Sequence, residues 1–240
     1  MHYPGAETRF PRRLEACVQA ALPLSVISLP GLTTLAVGQW LGRVGVNTPG
    51  MGPNRPLRGC LVAFQGRGMV FVEANDDSSE TQFTVAHETA HFICHYLAPR
   101  EKAISRLGPN ILNVLDGLRS PTNEERLAGV LRGCPIGQYR HMMGRTHEGA
   151  ILSADVERAE TEADLIALEL LAPAKAIARN FKRRKAQIDE KALVDVIQHE
   201  YQVPVWGAKL QAQVILRQYG QRGSKWLAGL GKIVRDQAGN

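Results

Sequence analysis

His87 and His91 stand four residues apart with Glu88 directly after the first, in the stretch Phe83-Thr-Val-Ala-His-Glu-Thr-Ala-His-Phe92. On a helix, both imidazoles leave one face about a turn apart and can meet a single metal ion. Glu88 is then offset by about 100°, close enough to handle a proton without being a ligand. This is the His-Glu-x-x-His arrangement of zinc hydrolases. The spacing predicts a helix here. Phe83, Val85, Ala86, Ala90, Phe92, Ile93 and Cys94 supply apolar surface, no Pro or Gly interrupts, and Asp76, Asp77, Ser78 or Ser79 can cap its start. Between Phe83 and Tyr96 the only carboxylate is Glu88, with no Lys or Arg. A buried helix bearing His, Glu and His needs something to satisfy them. A zinc ion does so, and the plainer alternative is a buried helix with hydrogen-bonded histidines.

A catalytic zinc takes three protein ligands and keeps one position open. Residues 154–171 read as a second helix, with Val156, Ala159, Ala163, Leu165, Ile166, Ala167, Leu170 and Leu171 apolar and Ala172-Pro173 at its end. Glu160 and Asp164 share one face. Glu160 suits the third ligand and Asp164 an outer carboxylate that holds a ligand imidazole by its other nitrogen. The alternative is an acidic first turn that only complements the helix dipole. One zinc per chain is expected, with Glu88 as the base that takes a proton from water and passes it to the leaving amine. A further group must stabilise the oxyanion. Tyr139, His141, His147 and His95 are the candidates.

The elements that must position these residues follow from the rest of the chain. Its 240 residues, 44% hydrophobic and 22% charged, suit one sizeable core with a small appendage. No apolar run approaches the ~20 residues of a membrane span. Residues 17–29 do not make a convincing signal core either, so a cytoplasmic protein is expected. Cys17, Cys60, Cys94 and Cys134 are too scattered for a disulfide framework or a zinc ribbon, and Cys94 reads as a small buried thiol. The net charge of +6 is uneven: residues 175–240 hold 13 Lys/Arg against 5 Asp/Glu. A basic C-terminal quarter suits an acidic partner or weak or indirect DNA contact, or is simply a solvated face.

In chain order, residues 13–22 read as a short helix. Runs 24–29, 32–37 and 40–46, split by Pro30-Gly31, Gly38 and Gly42, read as strands or loops at a sheet edge. Residues 48–56 read as an exposed loop. Residues 59–64 and 68–72 flank Gln65-Gly-Arg67 as a hairpin feeding the histidine helix. Residues 97–152 read as an insertion. It has helices at 100–107 and 111–118, a Thr122/Glu125 capping box opening a helix over 122–131, and an irregular run from Gln138 that suits a substrate loop or an ordinary surface loop. Residues 188–201 and 204–219 pair as helices around a tight turn. They form either an αα-hairpin or a helix-turn-helix. Residues 224–236 read as an amphipathic basic tail.

The block from Gln82 to Phe92 resembles the metal helix of the ImmA/IrrE-like zinc metallopeptidases, and the block from Glu160 to Pro173 resembles their second helix. The region Tyr201-Gln-Val-Pro-Val-Trp-Gly-Ala-Lys-Leu210 is similar to the helical segment that closes their domain. The resemblance implies an α+β, zincin-like catalytic domain over 1–174, followed by a helical hairpin at 175–218 and a basic tail at 219–240. It also implies endopeptidase action on a DNA-binding repressor, releasing stress-response or mobile-element genes. By position, His87, His91 and Glu160 become the ligands and Glu88 the base. Two departures stand out: the gap from His91 to Glu160 is longer than usual, and Asp164 stands where Asn is common. The rival expectation is a regulator that binds a repressor or DNA without cleaving it, around an inactive or structural zinc.

Overall fold

The structure, a computed structural model, describes residues 10–47, 50–145, 153–184 and 189–219. The chain divides into two compact units, residues 12–171 and residues 1–11 together with 172–240.

The first unit is a mixed α+β fold around a four-stranded sheet. After α1 (Leu14–Ala21) comes β1 (Leu24–Leu29), then α2 (Thr34–Arg43), β2 (Leu57–Phe64) and β3 (Arg67–Glu73). The hairpin stands as expected. Gln65 and Gly66 both have positive φ, 49° and 77°, which is what a tight two-residue turn between twisted antiparallel strands requires. β1 pairs in parallel with β3. The expectation of strands or loops across 32–46 is corrected: residues 34–43 are helical. Thr33 caps them by accepting the Ala36 N–H at 3.1 Å, and Thr34, Val37 and Leu41 are buried at helical spacing. Gly38 and Gly42 split that pattern in the sequence without breaking the helix. Val37 and Leu41 join Leu32, Leu57, Cys60, Val62 and Phe71 in the main core.

β3 ends on Glu73, whose buried carboxylate accepts the backbone N–H groups of Gly31, Leu32 and Asn75 at 3.0, 2.6 and 3.1 Å. Burial pushes its pKa up, but these three donors outweigh burial and hold it below the usual value. The clamp fixes both the turn after β1 and the lead into α3 (Ser78–His91). Of the four expected capping candidates Asp77 does the work, accepting from the N–H groups of Ser79 and Glu80 at 2.9 and 3.0 Å. A π-helical turn, Phe92–Leu97, continues α3. It seats Tyr96 so that its hydroxyl accepts the Gly66 N–H at 2.8 Å, tying the hairpin to the helix end.

The span 97–152 folds in part as expected. Helix α4 (Ala98–Leu107) is followed by a 3-10 turn and by α5 (Leu112–Leu115). The Thr122/Glu125 capping box is present, but its helix α6 stops early, at Asn123–Leu127. Ala103, Ile111, Val114, Leu115 and Val130 make a small satellite core. The run from Gln138 corrects the expectation of a loop. Tyr139–Gly144 is a strand, β4, antiparallel to β2, and the sheet order is β1-β3-β2-β4. Helix α7 (Ala154–Leu171) runs against α3, where small buried residues, Ala163 and Ala167 on one and Ala86 and Ala90 on the other, permit close approach.

In the second unit α8 (Ala174–Arg184) is a helix where the sequence, with its helical pair starting at 188, reads as a link before that pair. Ala174, Ile177 and Phe181 are its buried side, so Lys182, Arg183 and Arg184 lie in a helix's last turn. Helix α9 (Glu190–Tyr201) is capped by Asp189, as expected, and a left-handed Gln202 leads through Pro204 into α10 (Val205–Tyr219). Leu193, Ile197, Ala208, Ala212 and Ile215 are buried in this unit. The tail over 224–236 lies outside the described residues. No described helix is long and apolar enough to cross a membrane.

Candidate metal centre

Residues 83–91 of α3 are all buried, and the helix lies close against the sheet because β2 and β3 carry glycine beneath it. A Cβ on Gly59 would come within 2.4 Å of Thr84 Cγ2 and 3.1 Å of Glu88 Oε1. One on Gly68 would come within 2.8 Å of the Phe92 ring. These contacts set the height of His87, Glu88 and His91 above the strands.

Across from them α7 presents Glu160, and β4 presents His141. Four side chains, His87, His91, His141 and Glu160, bring one donor atom each to within 4.8 Å of one another. His87 Nε2 and His91 Nε2 are 3.1 Å apart. Glu160 Oε2 is 3.4 Å from His87 Nε2, and Glu160 Oε1 is 3.6 Å from His91 Nε2 and 2.9 Å from His141 Nε2. Donors on a tetrahedral zinc with bonds of about 2.0–2.1 Å lie roughly 3.3 Å from each other. Imidazole nitrogen and carboxylate oxygen are also the donor types zinc takes, so the residues fit that ion by spacing and by chemistry.

The outer nitrogens are held as well. Asp164 Oδ1 accepts from His87 Nδ1 at 2.8 Å, the contact expected from the sequence. His95, expected as an oxyanion candidate, instead sets its Nδ1 2.9 Å from His91 Nδ1, on the far side of that ring from the other donors. Glu88 is fully buried, with Oε2 2.8 Å from His141 Nδ1 and Oε1 without a hydrogen-bond partner among the described residues. Tyr139 stacks on Tyr96, with ring centroids 6.2 Å apart. His147 lies outside the described residues. Cys94 is half-buried and is not among the converging donors.

As side chains alone these groups perturb one another strongly. Burial pushes His87 down, but Asp164, Glu160 and Glu88 outweigh it and raise its pKa to about 9. His141 is likewise buried, yet lies between Glu88 and Glu160 and is raised to about 10. In His91 burial wins and the shift is downward. Burial pushes Glu160 up, but contacts with three imidazoles hold its carboxyl far below the usual range. Strongly perturbed groups gathered in this way make the cluster the candidate site.

Residues 53–112 match the family model of the IrrE N-terminal-like domain, Peptidase_M78. The ImmA/IrrE-like resemblance is borne out. The M78 match runs from before β2 to the first residue of α5, a quarter of the chain. It includes His87, Glu88, His91 and His95, whereas His141, Glu160 and Asp164 lie beyond it. The match suggests a metallopeptidase and so a protein substrate. Searches of curated proteins and of solved structures find no significant match.

The sequence named all seven side chains that meet here: His87, Glu88, His91, His95, His141, Glu160 and Asp164. It missed Gly59. It also treated His141 only as an oxyanion candidate, because nothing in the run from Gln138 signals a strand whose partner is some eighty residues away.

Proposed function

We propose that the chain is a zinc-dependent endopeptidase of the cytoplasm. Its substrate is a DNA-binding repressor, and cleavage releases stress-response or mobile-element genes. The observation that carries this reading is the convergence of His87 and His91 from α3 with Glu160 from α7, beside the buried carboxylate of Glu88. The family match favours the same chemistry, and the repressor follows from the ImmA/IrrE-like resemblance.

In this reading His87, His91 and Glu160 hold the zinc, and Asp164 fixes the His87 ring by accepting from its Nδ1. Zinc supplies Lewis acidity to the reaction when bound. Glu88 takes a proton from the attacking water and delivers it to the amine nitrogen as the peptide bond breaks. Buried and rigid on α3, it holds its carboxylate in place and is shielded from bulk water. The basic residues after 174 help recruit the partner and take no part in the chemistry.

Purified protein loaded with zinc and mixed with a repressor encoded beside this gene should yield two defined fragments by mass spectrometry, and chelation should stop the cut. The same fragments at the same rate from the Glu88→Gln protein would sink the proposal.

A further inference from the structure

We infer that His141 is a fourth protein ligand of the same ion, and that β4 thereby holds the chain in a closed, latent state that opens when the strand leaves. The inference rests on the metallopeptidase reading above. It deepens that reading by naming how the site is regulated.

The arrangement of the three imidazoles carries it. Each turns Nε2 toward the shared centre and Nδ1 toward an outer partner: His87 toward Asp164 at 2.8 Å, His91 toward His95 at 2.9 Å, and His141 toward Glu88 at 2.8 Å. Metal-bound histidines are held in this way, by a group on the nitrogen that does not bind. His141 repeats the pattern of the two α3 histidines. Its Nε2 lies among the other donors, 2.9 Å from Glu160 Oε1. A residue that only stabilised an oxyanion would stand off from the ligands and leave room for a substrate oxygen.

Two consequences follow. Three imidazoles and one carboxylate complete a tetrahedron, whereas a catalytic zinc keeps a position open. The Glu88 oxygen on that side is also engaged by His141 Nδ1, so it is not free to receive a proton from water. The same residue would fill the ion's fourth position and engages Oε2 of the base.

β4 is suited to leaving. Among the described residues it is the outermost strand of the sheet and pairs only with β2, in a register that slips between Leu57 and Gly59. Beside the ladder, Tyr139 stacks on Tyr96, Met142 packs against the main core, Arg140 donates to the Gly50 carbonyl at 3.1 Å, and Arg145 just beyond the strand pairs with Asp76 at 2.7 Å. Loss of this edge strand would take Met142 from the margin of the core, while the β1-β3 and β3-β2 ladders and the α3–α7 contact do not involve β4. His87, His91 and Glu160 would then remain as ligands, with Glu88 released.

The test compares zinc-loaded, full-length wild type with the His141→Ala and His141→Gln proteins. X-ray absorption at the zinc edge counts the imidazoles, and fluorescein-labelled casein reports hydrolysis. The expected result is three imidazoles in wild type and two in both variants. Both variants should cleave casein at least about tenfold faster, the factor for an open form that makes up a tenth or less of wild type. Two imidazoles in wild type would overturn the inference and leave the peptidase reading standing. So would a casein rate that falls in both variants while circular dichroism shows them folded, the outcome for a catalytic His141. A change from three to two with cleavage of neither casein nor the repressor by any of the three proteins would overturn the peptidase reading, and the latch with it.

Discussion

Gly59→Ala is the most exposing single change, because the added methyl acts on the base without altering any polar group. The new Cβ would lie 2.4 Å from Thr84 Cγ2, where ordinary contact begins near 3.4 Å, so α3 must lift or Thr84 must turn by about 1 Å. Thr84 is 1% exposed, and as a β-branched residue inside a helix it has little freedom to turn. Overpacking of this kind costs about 1–3 kcal/mol, or roughly 2–12 °C in Tm for a chain of this size. The same displacement carries Glu88, whose Oε1 would be 3.1 Å from the methyl. A misplacement of about 1 Å at a reacting group can cost about a hundredfold in rate. Thermal melting and casein hydrolysis would both be measured, together with a Gly59→Ala/Thr84→Ser double variant that removes the clashing methyl. The double variant should recover most of the lost stability and less of the rate, because Glu88 remains crowded. If Gly59→Ala melts and cleaves as wild type does, the account of how the sheet positions the base is wrong.

Glu88→Gln should keep fold and zinc and lose about 10²–10⁴ in hydrolysis; a wild-type rate would remove Glu88 as the base. His87→Ala, His91→Ala and Glu160→Ala should each lose zinc by metal analysis, and Asp164→Asn should weaken zinc binding by about 10–100-fold. Full zinc in Glu160→Ala would take that residue out of the site. Hydrogen bonds from Arg119 hold the Glu125 carboxyl at a pKa of about 2, against an ordinary 4.5. The stabilisation from this lowered pKa is therefore present above about 4.5 and lost as pH falls toward about 2, and a carboxyl NMR titration should show the midpoint return upward in Arg119→Ala. Neutralising Lys182, Arg183, Arg184 and Lys185 should slow cleavage of an intact repressor, more so at low salt, and spare a short peptide; equal losses on both substrates would make their role structural.

The parts of the fold legible in the sequence are those whose signals are local. Gly66 between two apolar runs gives the hairpin, and the stretch around Glu88 without other charges gives a buried helix. The misreadings have equally physical causes. Gly38 and Gly42 cost helix propensity that burial of Val37 and Leu41 repays, so tertiary packing overrides the local preference in α2. The basic run ending α8 resembles a linker, although Ile177 and Phe181 keep a buried stripe at helical spacing. β4, rich in Met, Arg and His, has weak strand preference of its own and exists because β2 offers it an edge. The same long-range pairing brings His141 to the centre, so the fourth donor is invisible to any reading of spacing along the chain.

The donors on α3 and α7 are separated by 69 residues, from His91 to Glu160. An ion held by both is therefore a cross-link as well as a reagent. Tying the ends of so long a loop removes roughly 4 kcal/mol of freedom from the unfolded chain. The segments inside that loop are those with least core of their own: the satellite cluster around Ile111 and Val114, the five-residue α6, and β4 at the sheet edge. Zinc would thus govern how firmly this whole excursion is closed, and a cell short of the metal would hold a chain that is loosened there as well as inactive.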